Sequence, residues 1–436
     1  MALVAQSCNT LRTAAVAAAL LALTACGAAA QPPGEVPDDR DSAEAVAAGT
    51  WHQVPVSPAG SLLGPVLTWD GHELLQIGGT AGEIKGADGA TVDGPALTDT
   101  VAFSPASGRW RRLDPAPFPV AAQQAASAWT GRQLFVLTSH GAAMLTPSSG
   151  RWRTLTSPPV SGLDSATAVW SGGRVVVATP RTPSEGDHTQ VAVYDPGTDR
   201  WTRIDPPLIT GHDQRSAPLV ATPDGVVLFS LWSHSVSRAI RGATMTTVQS
   251  GVDVLRLTRH ARWTPLAADW PQHETVSAPL LTDVGVIVPA GQIWCGDCSH
   301  PAPMNEHGYL ADPRTLHGQA MPHGPLDDTD PQPLWTGRAL IAIAQGDITG
   351  PGISITSGDL AVWDPATDRW TRAARSPGAL DYRTAPVWGD HQMFAIDLHG
   401  HPVAFEPALP TGAGGKPAAT QPSNADPSPV GPQVSG

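Results

Sequence analysis

The sequence predicts an all-β fold, a seven-bladed β-propeller of four-stranded blades. A short hydrophobic run that ends in a tight turn occurs seven times along the chain. A second apolar strand follows each turn, and a third strand comes later and usually ends at a Pro. Repeats of about 40–50 residues with four short strands each are typical of propeller blades.

The first two strands of each repeat are joined by a turn that contains Gly, often beside Asp. These residues readily adopt the backbone conformations that tight turns require. The seven turns fall at residues 69–71, 129–131, 170–173, 223–225, 283–285, 335–337 and 388–390. The third strands end near Pro105, Pro147, Pro196, Pro313, Pro365 and Pro407.

Tryptophan opens the fourth strand of most repeats. It does so at Trp51, Trp110, Trp152, Trp201, Trp263 and Trp370, and a degenerate copy near Gly318 has lost it. The chain has 15 Trp against 3 Tyr and 6 Phe, and most Trp occupy repeat positions. We therefore expect them to pack blade against blade rather than to form an aromatic ligand cage.

The N-terminal strand is predicted to close the ring. The last repeat, residues 383–407, has three strands and no Trp-led fourth, whereas the Trp-led segment that starts at Trp51 has no three strands before it. We expect Trp51 to occupy the position equivalent to Trp110, and Val54 to pair near Val403. A closed ring leaves only short, protected strand edges.

Two copies of the repeat carry a family resemblance. Residues 193–201 read Val-Tyr-Asp-Pro-Gly-Thr-Asp-Arg-Trp, and residues 362–370 read Val-Trp-Asp-Pro-Ala-Thr-Asp-Arg-Trp. With the paired glycines Gly78 and Gly79 after a second strand, they resemble the kelch and galactose-oxidase-type propeller repeat. The resemblance covers residues 51–408 and implies the fold, which hosts unrelated activities.

The best-known enzymes of this resemblance use copper, bound by Tyr and His and paired with a Tyr–Cys crosslink. This chain has only Tyr194, Tyr309 and Tyr382, and Tyr194 occupies a repeat position that is aromatic in other blades. Cys295 and Cys298 lie together in one loop. The copper arrangement cannot be mapped onto these residues, so we expect neither a cofactor nor copper radical oxidase activity.

The chain is acidic, with a formal net charge of −13. Nucleic acids and anionic membrane surfaces are also negatively charged, so the charge argues against both as electrostatic partners. We therefore expect a polar small molecule, a glycan or a protein as the partner, and no nucleic acid.

The N-terminus resembles a bacterial lipoprotein signal. An apolar stretch at 14–22 precedes Leu-Thr-Ala-Cys, which resembles a lipobox whose cleavage would leave Cys26 to carry lipid. We predict a signal peptide at 1–25, lipidated Cys26 and a flexible tether at 26–50, and a disordered tail at 409–436. The propeller would then be extracytoplasmic and anchored to the bacterial cell membrane. The alternatives are a plain secretory signal and a cysteine that stands at position 26 by chance.

Long insertions fall almost entirely between the second and third strands of the repeats. They cover residues 78–98, 179–190, 232–250, 291–308 and 345–358. In a propeller these loops share one face with the connections from each fourth strand to the next first strand. Because such loops often carry function, we predict that this face binds a ligand. The alternative is neutral length variation in exposed loops.

Polar residues precede several first strands on the same predicted face. The candidates for ligand contact are Asp164, Arg215, Glu274, Asp328, Asp330, Tyr382 and Arg383. We expect Arg215 and Arg383 to anchor a carboxylate or phosphate by paired hydrogen bonds. The aspartates would accept hydrogen bonds from hydroxyl or ammonium groups.

Cys295-Gly-Asp-Cys298 is the sharpest local motif. In an exported protein two neighbouring cysteines favour a disulfide that staples the loop. A zinc site with Cys295, Cys298, His300 and His307 is the alternative, although its spacing matches no familiar zinc module. A thioredoxin-like role would require a helix start, which a Pro-rich loop does not provide.

Two functions are compatible with these observations. One is a membrane-tethered, non-catalytic propeller that binds a glycan, a peptide or a protein. The other is a carbohydrate-active enzyme of the epimerase or lyase type that uses carboxylates and Arg at the channel mouth. No paired catalytic constellation stands out in the sequence, so binding is favoured.

Overall fold

The computed structural model describes residues 39–85, 91–180, 189–207, 213–240, 243–266, 279–289, 307–327, 331–344, 348–350, 353–355 and 357–408. Within them, seven antiparallel blades form a ring, which confirms the predicted propeller. First strands of neighbouring blades contact one another around the centre. The tight turns between first and second strands lie where the sequence predicts them.

The blades follow the chain in order. Blade I contains β2 (Val66–Trp69), β3 (Leu74–Ile77), β6 (Thr100–Ser104) and β7 (Arg109–Arg112). Blade II contains β8 (Ala126–Trp129), β9 (Leu134–Thr138), β10 (Gly141–Thr146) and β11 (Arg151–Thr154). Blade III contains β12 (Thr167–Ser171), β13 (Arg174–Thr179), β14 (Gln190–Asp195) and β15 (Arg200–Arg203). Blade IV contains β17 (Leu219–Thr222), β18 (Gly225–Ile240), β19 (Ala243–Thr258) and β20 (Trp263–Pro265), with β16 (Asp213–Ser216) paired to β18.

The remaining blades complete the ring. Blade V contains β21 (Leu280–Leu281), β22 (Val286–Val288), β23 (Tyr309–Ala311) and β24 (Gly318–Ala320). Blade VI contains β25 (Gln332–Trp335), β26 (Leu340–Ile343), β29 (Leu360–Asp364) and β30 (Arg369–Arg372). Blade VII contains β31 (Val387–Gly389), β32 (Gln392–Ile396), β33 (Pro402–Glu406) and, as its fourth strand, β1 (Thr50–Gln53).

Strand β1 closes the ring as predicted. It pairs antiparallel with β33, with Gln53 opposite Val403, and the Val54 N–H donates to the Pro402 carbonyl at 3.3 Å. The Trp51 ring lies 5.3 Å from that of Phe405, which repeats the 5.1 Å separation of Phe103 and Trp110 in blade I.

The Trp of the fourth strand joins each blade to the one before it. In six blades its indole N–H donates to a main-chain carbonyl that follows the fourth strand of the preceding blade, at 2.7 to 3.0 Å. The pairs are Trp51–Ala374, Trp110–Pro55, Trp152–Asp114, Trp201–Thr156, Trp263–Ile204 and Trp370–Pro322. The predicted packing role of these Trp is therefore confirmed, and each Trp also adds a hydrogen bond. Blade V, with Gly318 at this position, has no such indole.

The hydrophobic core is divided among the interfaces between neighbouring blades. Alternate side chains of an inner strand enter the two flanking interfaces, because a strand projects successive side chains to opposite faces. Leu74 thus packs toward blade VII, whereas Leu75 and Ile77 pack toward blade II. This explains why the second strands are nearly continuous apolar runs.

The paired glycines after β3 have a steric reason. Gly78 has a φ of +62°, and a Cβ there would lie 2.1 Å from the Val120 carbonyl oxygen. The Gly79 N–H donates to that same carbonyl at 2.8 Å. The chain segments approach too closely for any side chain at position 78.

The predicted flexible tether is wrong for residues 39–48. After a short 3-10 turn (Asp39–Asp41), helix α1 (Ala43–Ala47) packs on the ring, capped by the Ser42 side chain. Val46 is fully buried between blades VI and VII. The segment looks polar and Ala-rich in sequence, and only its tertiary contacts order it. We call residues 39–48 the N-terminal clasp.

The N-terminal clasp holds the tight turns of blades VI and VII. Asp39 forms an ion pair with Arg338 at 2.9 Å, and an Asp41 carboxylate oxygen lies 3.0 Å from His391 Nδ1. The Thr336 hydroxyl donates to the Asp41 carbonyl at 2.8 Å. These contacts lie on the face opposite the long insertions.

Several predictions concern residues outside the described part of the chain. They include the signal peptide, Cys26, the tether up to residue 38 and the tail at 409–436. Among the described residues, no helix is long and apolar enough to cross a membrane.

Candidate ligand-binding face

Three of the predicted insertions form hairpins on one face of the ring. Strands β4 (Glu83–Lys85) and β5 (Thr91–Asp93) lie in blade I, and β27 (Ile348–Gly350) and β28 (Ile353–Ile355) in blade VI. In blade IV, β18 and β19 pair along their full 16 residues. We call the face with these hairpins the long-loop face and the opposite one the tight-turn face.

The connection that precedes β31 is the best-defined part of the long-loop face. The Asp381 N–H donates to the Ile396 carbonyl at 2.8 Å, and the Leu398 N–H donates to Ala379 at 3.0 Å. These bonds hold residues 379–381 along the end of β32. They fix the side chains of Asp381, Tyr382 and Arg383 near the blade VII–I interface.

Arg383 is surrounded by three carboxylates. Its guanidinium lies 3.2 Å from Asp381, 2.7 Å from Glu83 and 3.0 Å from Asp93. The Arg383 and Asp381 side chains are 8% and 0% exposed, whereas Glu83 and Asp93 are partly exposed at the rim. We call these four residues the Arg383 cluster.

The Arg383 cluster corrects the predicted role of Arg383 as a free anion anchor. Its guanidinium nitrogens already pair with carboxylates of the same chain. They are therefore not available to donate two parallel hydrogen bonds to a carboxylate or phosphate of a ligand. The cluster instead ties the blade I hairpin to blade VII. Removing one partner of a buried ion pair leaves an uncompensated charge, so we expect Arg383→Ala to destabilise the fold rather than only weaken binding.

The electrostatics of the cluster follow from burial and charge. Burial alone would lower the pKa of Arg383, but its bond to Glu83 and the neighbouring charges, Asp93 and Asp381 among them, outweigh this and raise the pKa. Burial raises the pKa of the Tyr382 phenol, while Arg383 opposes that shift. Arg383 therefore stays charged, and the Tyr382 hydroxyl stays neutral at ordinary pH.

The fold leaves no spare room behind Arg383. Gly64 has a φ of +62°, and a Cβ there would lie 3.3 Å from the Arg383 Cβ. The Gly64 N–H donates to the Asp381 carboxylate at 2.7 Å, and the Thr384 hydroxyl also donates to it. Both carboxylate oxygens of Asp381 therefore accept hydrogen bonds within the protein.

A small cleft opens beside the Arg383 cluster, between blades VI and VII. It contains about 240 Å³ of empty space, part of it open to solvent. Its polar lining is Gln332, Asp381, Tyr382 and Thr384, and its apolar lining is Ile343, Ala344, Leu380, Pro386, Ala395 and Ile396. A water-sized sphere can enter only about 10 Å³ of this space, which is the room of about one water molecule. The cleft is therefore a shallow polar depression on the surface, which a ligand could contact, rather than an enclosed small-molecule pocket of about 300–1,000 Å³.

Among the other predicted contact residues, only Asp164 has a described side chain, and it lies away from this cleft. Asp164 is exposed in a 3-10 turn (Leu163–Ser165) between blades II and III, two blades from the cluster. The backbone of Arg215 belongs to β16, and its side chain lies outside what the structure describes. Glu274, Asp328 and Asp330 also lie outside it, as do Cys295, Cys298 and His300. Their predicted roles remain predictions.

Sequence reasoning missed most of the cluster. Glu83 is 300 positions from Arg383, and nothing local to either residue indicates the contact. Asp381 and Thr384 flank Tyr382 and Arg383, which the sequence predicts as contact residues. Their position just before a first strand was the one feature of the sequence that could have identified Asp381 and Thr384 as part of the site.

The described tyrosines do not fit a copper centre. Tyr194 is fully buried, as its repeat position predicts, and its hydroxyl donates to Asp199 on the tight-turn face. Tyr309 lies in β23 of blade V and Tyr382 at the blade VI–VII cleft. Among the described residues, no group of three or more His, Cys, Asp or Glu is placed to hold a metal. We derive no copper chemistry from these side chains.

Comparison with known proteins supports the fold. The chain matches no family model and no curated protein. Among solved structures it is similar to a novel fungal alcohol oxidase with catalytic diversity among the AA5 family, in complex with copper. The two are 15% identical, the match covers 83% of this chain and 76% of that one, and the TM-score is 0.54. At this identity the likeness supports the fold alone and says nothing about activity.

Proposed function

We propose that this protein is a lipid-anchored, extracytoplasmic propeller of the kelch type that binds a polar ligand on its long-loop face. The binding site is the cleft between blades VI and VII, with Tyr382 at its edge. The observation that carries the proposal is the convergence of a polar cleft and a fixed charge cluster on the face with the long hairpins.

The charges of the site select the ligand. Three carboxylates surround one guanidinium in the Arg383 cluster, so its formal charge is negative. A ligand rich in hydrogen-bond donors, such as a neutral glycan or a peptide ammonium group, complements it better than an anion. Tyr382 is 39% exposed, and its ring offers an apolar surface with a neutral hydroxyl. Such an amphipathic ring suits a sugar or peptide face.

The chain termini favour an anchor on the opposite face. The N-terminal clasp contacts tight turns, and the Ala408 N–H donates to the Ala45 carbonyl at 2.9 Å. Both ends of the described chain therefore leave the ring on the tight-turn face. A lipid at Cys26 would hold that side toward the membrane and leave the long-loop face unobstructed.

Binding is tested with a glycan and peptide array. Hits are then titrated against the wild type, Tyr382→Ala and Asp164→Ala. We expect Tyr382→Ala to weaken binding about tenfold or more, as loss of an interface aromatic often does. Asp164→Ala is the matched control on the same face and should bind normally. Equal affinity of all three proteins would contradict the proposed site.

The same titration addresses the enzymatic alternative. Ligand recovered unchanged after long incubation supports binding. Recovery of an epimerised or cleaved glycan would instead support the carbohydrate-active enzyme.

The anchor is tested separately. Cys26→Ser should release the protein from membranes or stall its processing, and the wild type should incorporate radioactive fatty acid. Unlabelled wild-type protein in the soluble fraction would indicate a plain secretory signal. This outcome leaves the ligand-binding site unaffected.

A further inference from the structure

Blade II lacks acidic side chains. No Asp or Glu occurs between Asp114 and Asp164, whereas the chain as a whole has a formal net charge of −13. The same stretch contains Arg132, Arg151 and Arg153. The two flanking aspartates each follow a fourth strand and therefore lie toward the long-loop face. The net charge of the chain thus conceals a basic sector on the tight-turn face.

Three arginines of this sector are exposed and unpaired. Arg109 begins β7 of blade I, Arg132 lies in the tight turn of blade II, and Arg151 begins β11. All three are exposed, and none of their side chains forms an ion pair or a hydrogen bond with the described residues. The end of blade I and the turn before β11 are in contact, because Arg111 donates to the Pro147 carbonyl at 2.9 Å. We call Arg109, Arg132 and Arg151 the blade II arginines.

Carboxylates on both sides of blade II are paired with other arginines. In blade I, the Arg111 Nε donates to a Glu73 carboxylate oxygen at 2.9 Å. In blade III, Asp199 lies 3.1 Å from the guanidinium of Arg153. These pairs leave the blade II arginines as positive charge without a carboxylate partner among the described residues. Exposed guanidinium groups of this kind are free to bind an anion.

The other side of the tight-turn face is acidic. The N-terminal clasp and blade VII carry the exposed residues Glu44, Asp390 and Glu406. An anionic surface attracts blade II and repels the clasp, so the ring should tilt with blade II toward that surface. The chain between the predicted lipid at Cys26 and Asp39 can span at most about 45 Å, which permits the tilt.

We propose that the blade II arginines bind anionic phospholipid headgroups and hold blade II against the membrane. This inference rests on the lipid anchor of the proposed function, which brings the tight-turn face to a lipid surface. A guanidinium can donate two parallel hydrogen bonds to a phosphate. Each basic side chain near an anionic membrane strengthens binding about fivefold. The tilt would raise the cleft between blades VI and VII away from the membrane and toward its ligand.

The experiment uses the full-length Cys26→Ser variant, so that no lipid contributes to binding. Flotation compares its binding to vesicles of phosphatidylglycerol and phosphatidylcholine with its binding to vesicles of phosphatidylcholine alone. We expect stronger binding to the anionic vesicles, and high salt should remove the difference because it screens surface charges. The further change Arg109→Gln/Arg151→Gln should weaken binding to the anionic vesicles about 25-fold.

Two arginines in other blades provide the matched control. Arg200 and Arg369 occupy the repeat position of Arg109 and Arg151 and are also exposed. On the paired third strand an Asp lies opposite each of them, whereas Arg109 and Arg151 lie opposite a Ser and a Thr. The change Arg200→Gln/Arg369→Gln removes the same charge and should leave binding to the anionic vesicles nearly unchanged. Equal losses in the two double variants would overturn the assignment to blade II.

The vesicle assay and the test of the anchor fail independently. Equal binding of the Cys26→Ser variant to neutral and anionic vesicles overturns the role of the blade II arginines, and it leaves the lipid anchor untouched. Absence of fatty-acid label from the wild type overturns the anchor, while the vesicle assay still decides whether these arginines bind anionic headgroups.

Discussion

Blades V and VI share one turn geometry but stabilise it with different side chains. In blade VI, Asp368 has a φ of +55° and accepts a hydrogen bond from the Trp363 indole at 3.1 Å. In blade V the equivalent residue is Leu316, with a φ of +59°, and it is fully buried against blade IV. The left-handed turn is thus the constant feature, and its side chain is the variable one.

The same comparison extends to the neighbouring positions. Blade VI has Trp363 in its third strand and Trp370 in its fourth, whereas blade V has Ala311 and Gly318. Because blade V lacks both indoles, an Asp at position 316 would have no indole N–H from which to accept a hydrogen bond. A leucine in the left-handed region is unfavourable by roughly 1–2 kcal/mol, and full burial of its side chain offsets this. The degenerate repeat therefore exchanges polar bonds for apolar packing.

Placing the usual repeat residue in blade V should have the largest effect. Leu316→Asp would put a carboxylate without a donor into the blade IV–V core, and we expect a loss of about 3–5 kcal/mol in unfolding free energy. Chemical denaturation measures it. The control Leu316→Met keeps the apolar volume and should cost less than about 1.5 kcal/mol. A denaturation midpoint of Leu316→Asp equal to that of the wild type would contradict the idea that burial of Leu316 stabilises this turn.

The reciprocal change in blade VI should cost less. Asp368→Leu leaves the indole N–H of Trp363, a residue 2% exposed, without its acceptor, and the exposed leucine gains little burial. We expect about 1–3 kcal/mol of destabilisation by the same measurement. Asp368→Asn keeps an acceptor oxygen and tolerates the left-handed backbone, so it should be nearly neutral. Equal losses for both variants would show that the hydrogen bond is not the cause.

The indole bond between blades can be isolated with two Trp→Phe variants. Trp370→Phe keeps an aromatic ring but removes the donor to Pro322, so we expect a loss of about 0.5–1.5 kcal/mol beyond that of packing. Trp129 is the matched control, because its buried Nε1 has no partner among the described residues. Trp129→Phe loses ring volume only. A larger loss in Trp129→Phe would contradict a role for the interblade bond.

The smallest effect is expected at position 318. A Cβ on Gly318 would lie 3.0 Å from the Leu310 carbonyl oxygen and 3.2 Å from Ala311 Cβ. Gly→Ala normally stabilises a chain slightly by restricting its unfolded state. Because the crowding atoms belong to the paired strand and cannot rotate away, we expect Gly318→Ala to be destabilising by up to about 1 kcal/mol. Clear stabilisation would mean that blade V could accept larger residues.

The sequence predicted what repeats and turns determine locally. The Trp positions, the Gly turns and the closure by Trp51 all follow from a pattern that recurs, so one copy informs the next. The parallel between Asp312 and Asp364 also identified blade V as a degenerate copy. Where one copy departs from the repeat, the other copies do not predict the role of the new residue. Leu316, which in blade V takes the place of Asp368 in blade VI, is such a case.

The candidate site was less predictable because its contacts are not repeated. Tyr382 and Arg383 were selected from their place before a first strand. Two of the three carboxylate partners of Arg383, Glu83 and Asp93, come from a hairpin near the other end of the chain. The resulting negative charge of the cluster reversed the expected preference for an anionic ligand. The N-terminal clasp shows the same limit, since Val46 is buried only because blades VI and VII provide a groove for it.

Closure by strand β1 has a kinetic consequence. Asp41 and His391, which the closed ring brings together, are 350 positions apart in the chain. The first strand to be synthesised must wait, unpaired, for the last one, and contacts between such distant segments slow folding. Six blades can assemble from neighbouring segments, whereas blade VII cannot form before β33 has been synthesised. Nascent chains that stop short of β33 should therefore remain open rings with an exposed edge.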